Sequence, residues 1–321
     1  MPSPSDILFS DQLTSSFDKT TLVLYISEGL LITFTNFFLA VRLFSNKDLR
    51  GQKEYVIIGS CLFFDVIFGL TYFTAGVYRT IPVILYDYFP LVSMWSCFVT
   101  VHTQLFIITT TVSGIVLLLT AADRFICVFF PFTYIKLHVE YAWKLMALPY
   151  VIHIALLIPA ALASYNNGSE KTSIQTCFVK QAVTLGFFVT YRMIRIVSAV
   201  GCILIYVPIF AKMYVTVHKQ AKLTVGSSKH QKRLTNMTIT VSMITGSTIC
   251  LFTVPDVILF ISPNINSNFI LLMSLHKGIA NLIIFLTTQK SLRNFMLPKS
   301  LQKNSVIQPS QSKTTMPPVA Q

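Results

Sequence analysis

Seven apolar stretches, each about twenty residues or longer, recur along the chain and restrict its folding more than any other feature. They are Thr20–Phe44, Tyr55–Tyr78, Cys97–Thr120, Tyr141–Ala163, Ile194–Tyr214, Leu234–Ile261 and Asn268–Thr288. Crossing roughly 30 Å of hydrocarbon at about 1.5 Å per helical residue takes about 20 residues, and only a helix satisfies its own backbone there. The pattern predicts an all-α membrane protein, a bundle of seven transmembrane helices. Composition agrees: 53% hydrophobic against 12% charged leaves more apolar surface than one aqueous core hides, which excludes a soluble enzyme, a disordered chain and a disulfide scaffold. Arg192 and Arg195 interrupt the apolar run that begins near Ala182, and both are expected at the mouth of the fifth helix, where long side chains snorkel.

A net charge of +13 is the usual mark of a nucleic-acid binder, so its location decides its meaning. Of the 25 Lys and Arg, 18 fall in alternate connections: Arg42 to Lys53, Arg124 to Lys144, Lys212 to Arg233, and Lys290 to Lys313. Six fall in the other connections, and Lys277 lies within the seventh span. The positive-inside rule makes the first side cytoplasmic and the N-terminus extracellular. Membrane lipids, not nucleic acid, are then the partner of the basic run from Lys219 to Arg233. Residues 1–19 read as an extracellular tail without a cleavable signal, 20–298 as the membrane domain, and 299–321 as a disordered cytoplasmic tail. His102, His153 and His276 lie on three spans without metal-ligand spacing, and there is no nucleotide-binding glycine loop; no enzyme, metal or cofactor is expected.

Charge inside the spans is a second signal. Asp65 and Lys277 both lie at hydrocarbon depth, where a lone charge costs at least about 2.5–3.5 kcal/mol, so each needs a partner. They can pair with each other; alternatively Lys277 pairs with Glu28 of the first span or reaches a water-filled cavity.

The third span closes on Asp123-Arg124-Phe125-Ile126-Cys127-Val128-Phe129-Phe130-Pro131-Phe132-Thr133-Tyr134. This resembles the D-R-Y-x-x-x-x-x-P-x-x-Y signature of rhodopsin-like G-protein-coupled receptors, with Phe125 in the Tyr place. Asn281-Leu282-Ile283-Ile284-Phe285, followed by Lys290-Ser291-Leu292-Arg293-Asn294, is similar to the family's N-P-x-x-Y running into a short amphipathic eighth helix. Asn36 and Asp65 stand where the family has its polar residues in the first two helices, and Pro255 where the sixth helix kinks. The resemblance spans residues 36–294. Departures are Thr253 for the aromatic residue before the sixth-helix proline, Leu282 for the seventh-helix proline, and a late fifth-helix Pro208 after Tyr206. With the Phe-rich composition, these bring the chain nearest to nematode serpentine chemoreceptors.

The resemblance implies a receptor that passes binding of an extracellular small molecule to a heterotrimeric G protein, in the plasma membrane and for a chemosensory member in a sensory cilium. Peptide-ligand receptors of the same fold and seven-helix channels or transporters are the alternatives. Asp123, Arg124, Phe125, Pro131, Tyr134, Tyr206, Pro255, Asn281 and Phe285 would carry activation and coupling, with Arg124 held by Asp123 at rest. Asn36, Asp65, Ser113 and Lys277 would form a polar core in which the lysine replaces a bound sodium ion. A retinal lysine is disfavoured, because the opsin position holds Leu275. His102, Phe106, Thr110 and Asp256 would line a mostly apolar ligand pocket; Phe106 holds the place of the amine receptors' carboxylate, which disfavours amine ligands. The family's usual link implies a Cys97–Cys177 disulfide on the oxidising side. Asn167-Gly168-Ser169 is a glycosylation sequon on the same side, whereas Asn236-Met237-Thr238 falls on the cytoplasmic side and is a chance match.

Overall fold

The computed structural model describes residues 19–85, 91–168, 170, 171, 173–222, 229–261 and 267–288. Among the described residues, most lie in seven long helical segments: α1 Lys19–Ser45, α2 Lys53–Leu85, α3 Val101–Phe129, α4 Val139–Asn166 and α5 Leu185–Lys222 come first. Then α6, Lys229–Thr248, continues through a π-helical turn, Ile249–Thr253, into a distal piece, Val254–Ile261; α7 is Ser267–Thr288. Among the described residues, five are long and apolar enough to cross a membrane: Thr20–Ser45, Lys53–Pro82, Val101–Phe129, Val139–Asn166 and Leu185–Val215. Large apolar side chains such as Phe34 (63% exposed), Val151 (60%) and Leu204 (66%) point outward, as in a molecule whose solvent is lipid. The polar side chains are instead inside, where Asn36, Asp65, Asp123, Arg124 and Lys277 are all buried.

Glycine sets the closest packing. A Cβ on Gly29 would lie 2.6 Å from the Phe73 amide nitrogen, and one on Gly69 would lie 2.8 Å from the Gly29 carbonyl oxygen. Gly76 sits as tightly against Ile26, 2.8 Å from its Cγ1. Helices α1 and α2 therefore touch backbone to backbone, the small-residue packing that dispersion favours where no hydrophobic effect acts between helices.

At one end of the bundle the connections are braced. Two short strands, β1 Leu91–Val92 and β2 Ser173–Ile174, pair antiparallel with Leu91 opposite Ile174. A helical turn at Met94–Phe98, capped by the Ser93 hydroxyl, precedes α3; a break at Val99 and Thr100 separates the two, so the predicted third span is interrupted near its start. Cys97 and Cys177 form a disulfide, with Cys177 in left-handed backbone (φ 47°). Beneath it Phe98, Ile107, Ala160, Val183 and Tyr191 form one core joining α3, α4 and α5.

The fifth helix corrects an expectation. It starts at Leu185, not Ile194, so Arg195 lies well inside it and is only 7% exposed. Its backbone packs on Gly114 of α3, which places the side chain in the bundle and not at a snorkelling mouth. Arg192 does lie further out, its guanidinium 4.9 Å from the Phe188 ring centroid.

Candidate functional site

Two polar clusters lie along the bundle. In the first, Lys277 Nζ on α7 donates to Asp65 Oδ1 on α2 at 2.7 Å, and both side chains are buried. Asn281, one turn after Lys277, donates from Nδ2 to Asp65 Oδ2 at 3.2 Å, and Ser247 on α6 donates to Asn281 Oδ1 at 2.9 Å. The ammonium also lies 5.0 Å and 5.2 Å from the Phe68 and Phe64 ring centroids, within cation–π range. Three helices are thus tied through one carboxylate. Of the options open in the sequence, the structure places Lys277 on Asp65, while Glu28 faces His276 at 3.9 Å. A cavity of about 50 Å³ adjoins the pair, with Ser113, Thr120, Thr245 and Thr248 among its lining residues. At about 10–15 Å³ per water, it has room for about three to five. Asn36 is buried beside this region but spends its amide on the Ile32 carbonyl, 2.9 Å away within α1.

The second cluster is at the far end of α3 from the disulfide. Arg124 donates to Asp123 Oδ2 from Nε (3.0 Å) and Nη2 (2.5 Å), and Nη2 also reaches the Tyr134 hydroxyl at 3.3 Å. The Tyr134 hydroxyl in turn faces Asp123 Oδ2 at 3.5 Å. Pro131 begins the short helix Pro131–Lys136, a position that suits its missing N–H, and this helix delivers Tyr134 to the pair. Burial holds the Tyr134 phenol above its usual range, so it serves as a neutral hydroxyl. Arg124 Nη1 and Asp123 Oδ1 are buried without hydrogen-bond partners among the described residues. Phe125 stacks on Phe129, with centroids 4.5 Å apart, against the core around Tyr206. Tyr206 accepts a hydrogen bond from Thr245 at 3.4 Å, which joins α5 to α6.

Sequence reasoning missed Lys53, counted there only as a loop charge. Its Nζ donates to the carbonyls of Tyr134 and, at 3.1 Å, Leu137, and lies 3.8 Å from the Tyr134 ring centroid. A cation on the last carbonyls is a C-terminal cap for the short helix. It also missed Arg79, which is 1% exposed, donates from Nε to Thr176 O at 3.1 Å, and has Phe178 and Phe106 rings at 4.4 and 5.7 Å.

Of the pocket residues, His102 is buried and stacked on Tyr78 with centroids 4.3 Å apart, Phe106 meets Tyr72 at 5.5 Å, and Thr110 is half-buried one turn on. Asn167 is exposed just past α4, its amide on the Ala163 carbonyl at 2.7 Å. Pro255 is buried directly after the π-helical turn. Asp256 and Phe285 lie on described helices, but their side chains fall outside the described residues, as do Ser169, the short helix expected after residue 289, and both tails. Among the described residues no three His, Cys, Asp or Glu side chains gather as a metal site.

No family model and no curated protein matches this chain.

Proposed function

We propose that the protein is a rhodopsin-like G-protein-coupled receptor with seven transmembrane helices, its N-terminus and disulfide end outside and the Arg124 end in the cytoplasm. It passes binding of a small extracellular ligand, in a chemosensory setting, to a heterotrimeric G protein. The observation that carries this reading is the buried Asp123–Arg124–Tyr134 cluster: an arginine held at a helix end by its own neighbour and by the following loop, with one N–H group uncommitted. In this reading the cluster is the resting setting, and a ligand that favours a setting in which Arg124 is released shifts the population toward it. The π-helical turn before Pro255 supports a hinge between the distal piece and α6, because wide turns and proline both interrupt the regular ladder. The 18-to-6 bias of basic charge supports the orientation, and anionic lipid then faces the run from Lys219 to Arg233. Placement in the plasma membrane or a sensory cilium, and a glycan on Asn167, belong to the same reading.

The test is a ligand screen in cells carrying a G-protein reporter, with Arg124→Ala as control. The reading stands if ligand-evoked signal disappears in Arg124→Ala while surface expression is kept. A second reading, a seven-helix channel or transporter, draws on the polar cavity beside Asp65 and Lys277. Ligand-evoked current that persists with G proteins blocked would select it.

A further inference from the structure

We infer that the end of the bundle that carries Arg124 holds a site for an anionic phospholipid, on the outer surface where α1, α2 and α4 meet. Phe44 and Trp143 receive an acyl chain, and Lys47, Lys136 and Lys144 receive the phosphate. The site requires these helices to lie in a bilayer and takes nothing from the receptor reading.

An aromatic ledge is the first argument. Phe44, near the end of α1, lies across α2 where Gly59 leaves room: a Cβ on Gly59 would come within 2.5 Å of Phe44 Cζ. The ring thereby reaches α4 and stacks on Trp143, with centroids 5.6 Å apart and planes at 27°. Trp143 is held by this stack yet is 45% exposed, and its indole N–H has no hydrogen-bond partner among the described residues. It is the fifth residue of α4, the depth at which an indole keeps its ring in hydrocarbon and turns its N–H toward lipid oxygens. Phe63, one turn along α2 from Gly59, is 51% exposed and extends the apolar surface toward the membrane interior.

Charge is the second. The segments at this end, residues 42–54 and 136–144, carry six Lys and Arg against three acids. Lys47, Lys136 and Lys144 are exposed, and none of them makes an ion pair among the described residues. Lys144 follows Trp143 directly, Lys47 follows Phe44 by three residues, and Lys136 ends the short helix before α4. All three stand at the end of the bundle where the ledge lies. Arg42 is left out of the site, since its guanidinium lies 5.1 Å from the Phe38 ring centroid. A zwitterionic lipid gains little from these lysines, because its own ammonium offsets its phosphate; an anionic lipid gains their full attraction.

The chain has two tryptophans, so Trp95→Phe leaves Trp143 as the sole indole and makes the site its own reporter. The full-length variant is placed in nanodiscs of fixed phosphatidylcholine and phosphatidylglycerol content, with bromine on the acyl chains of one lipid or of the other. Brominated phosphatidylglycerol is expected to quench Trp143 as though enriched about fivefold beside it, the worth of one basic contact at an anionic surface. Lys47→Gln together with Lys144→Gln should bring that enrichment close to one. Lys219→Gln together with Lys222→Gln, on α5, should leave it unchanged. Should Trp95→Phe not fold, the difference between the intact chain and Trp143→Phe supplies the same signal. The inference is overturned if the two brominated lipids quench equally, or if the α5 pair lowers the enrichment as much as the Lys47 and Lys144 pair, which would make the attraction diffuse. It is overturned too if neither lipid quenches Trp143, the result expected if a second copy of the chain covers the ledge. Both leaflets of a nanodisc are alike, so the outcome is independent of orientation, and a silent G-protein reporter would count against the receptor reading alone.

Discussion

Asp65 and Lys277 meet across 212 residues of chain, whereas Asp123 and Arg124 are neighbours in it. The distant pair joins α2 to α7 and, through Asn281 and Ser247, to α6; its cost of desolvation is met only when all three helices are in place. The neighbouring pair joins nothing by itself, since both partners travel on one helix. Its connection to the rest of the molecule is delegated to Tyr134 and to Lys53, which caps the short helix that carries Tyr134. One pair is a tie between elements, and the other is a charge kept quiet by a removable clasp.

The largest effect should come from the tie. Lys277→Met leaves Asp65 buried with its charge uncompensated and should lower unfolding stability in mild detergent by about 3–5 kcal/mol. Adding Asp65→Asn should return most of that loss; additive losses in the double variant would show that the two residues do not act as a pair. Next comes Asp123→Asn. The asparagine oxygen and the Tyr134 hydroxyl can still accept from Arg124, so the cost should be smaller, about 1.5–3 kcal/mol, the worth of a hydrogen bond to a charged group. A loss as large as that for Lys277→Met would erase the contrast.

Lys53→Met should cost only about 1 kcal/mol globally, but amide exchange in residues 131–137 should quicken by about tenfold while that of α2 is unchanged. Under the receptor reading, basal signalling rises in the same variant. The smallest change is expected from Tyr134→Phe, about 0.5–1.5 kcal/mol, because the ring contact with Lys53 survives and only the hydroxyl contacts to Arg124 and Asp123 are lost. Equal exchange rates in the Lys53 and Tyr134 variants would mean that the hydroxyl, not the cap, holds the clasp.

The contrast also explains what could be read from the chain. Helical segments follow from hydropathy, because lipid imposes their length and composition directly. Asp65 and Lys277 declared themselves as charges without water, although the choice between Asp65 and Glu28 needed the geometry of α1, α2 and α7. Lys53 did not declare itself: a lysine in a basic connection is indistinguishable by sequence from the others, and its role depends on where two carbonyls of another loop end up. Arg195 was misplaced for a related reason. Two arginines near a helix start look alike in sequence, and only the packing of α5 on Gly114 turns one inward. The π-helical turn at Ile249–Thr253 has no local signature beyond the proline that follows, since register there is set by neighbours.

The contact between Gly29 and Gly69 has a consequence for descent. Even a methyl group at either position collides with the main chain of the facing helix, and main chain cannot be traded for a smaller residue. Drift on the outward faces of these helices is far less constrained, because any apolar side chain dissolves in lipid. Distant kin of this protein should therefore be recognisable less by overall identity than by a sparse pattern: glycines equivalent to 29, 69 and 76, and an acid four residues before the middle one matched to a lysine far downstream.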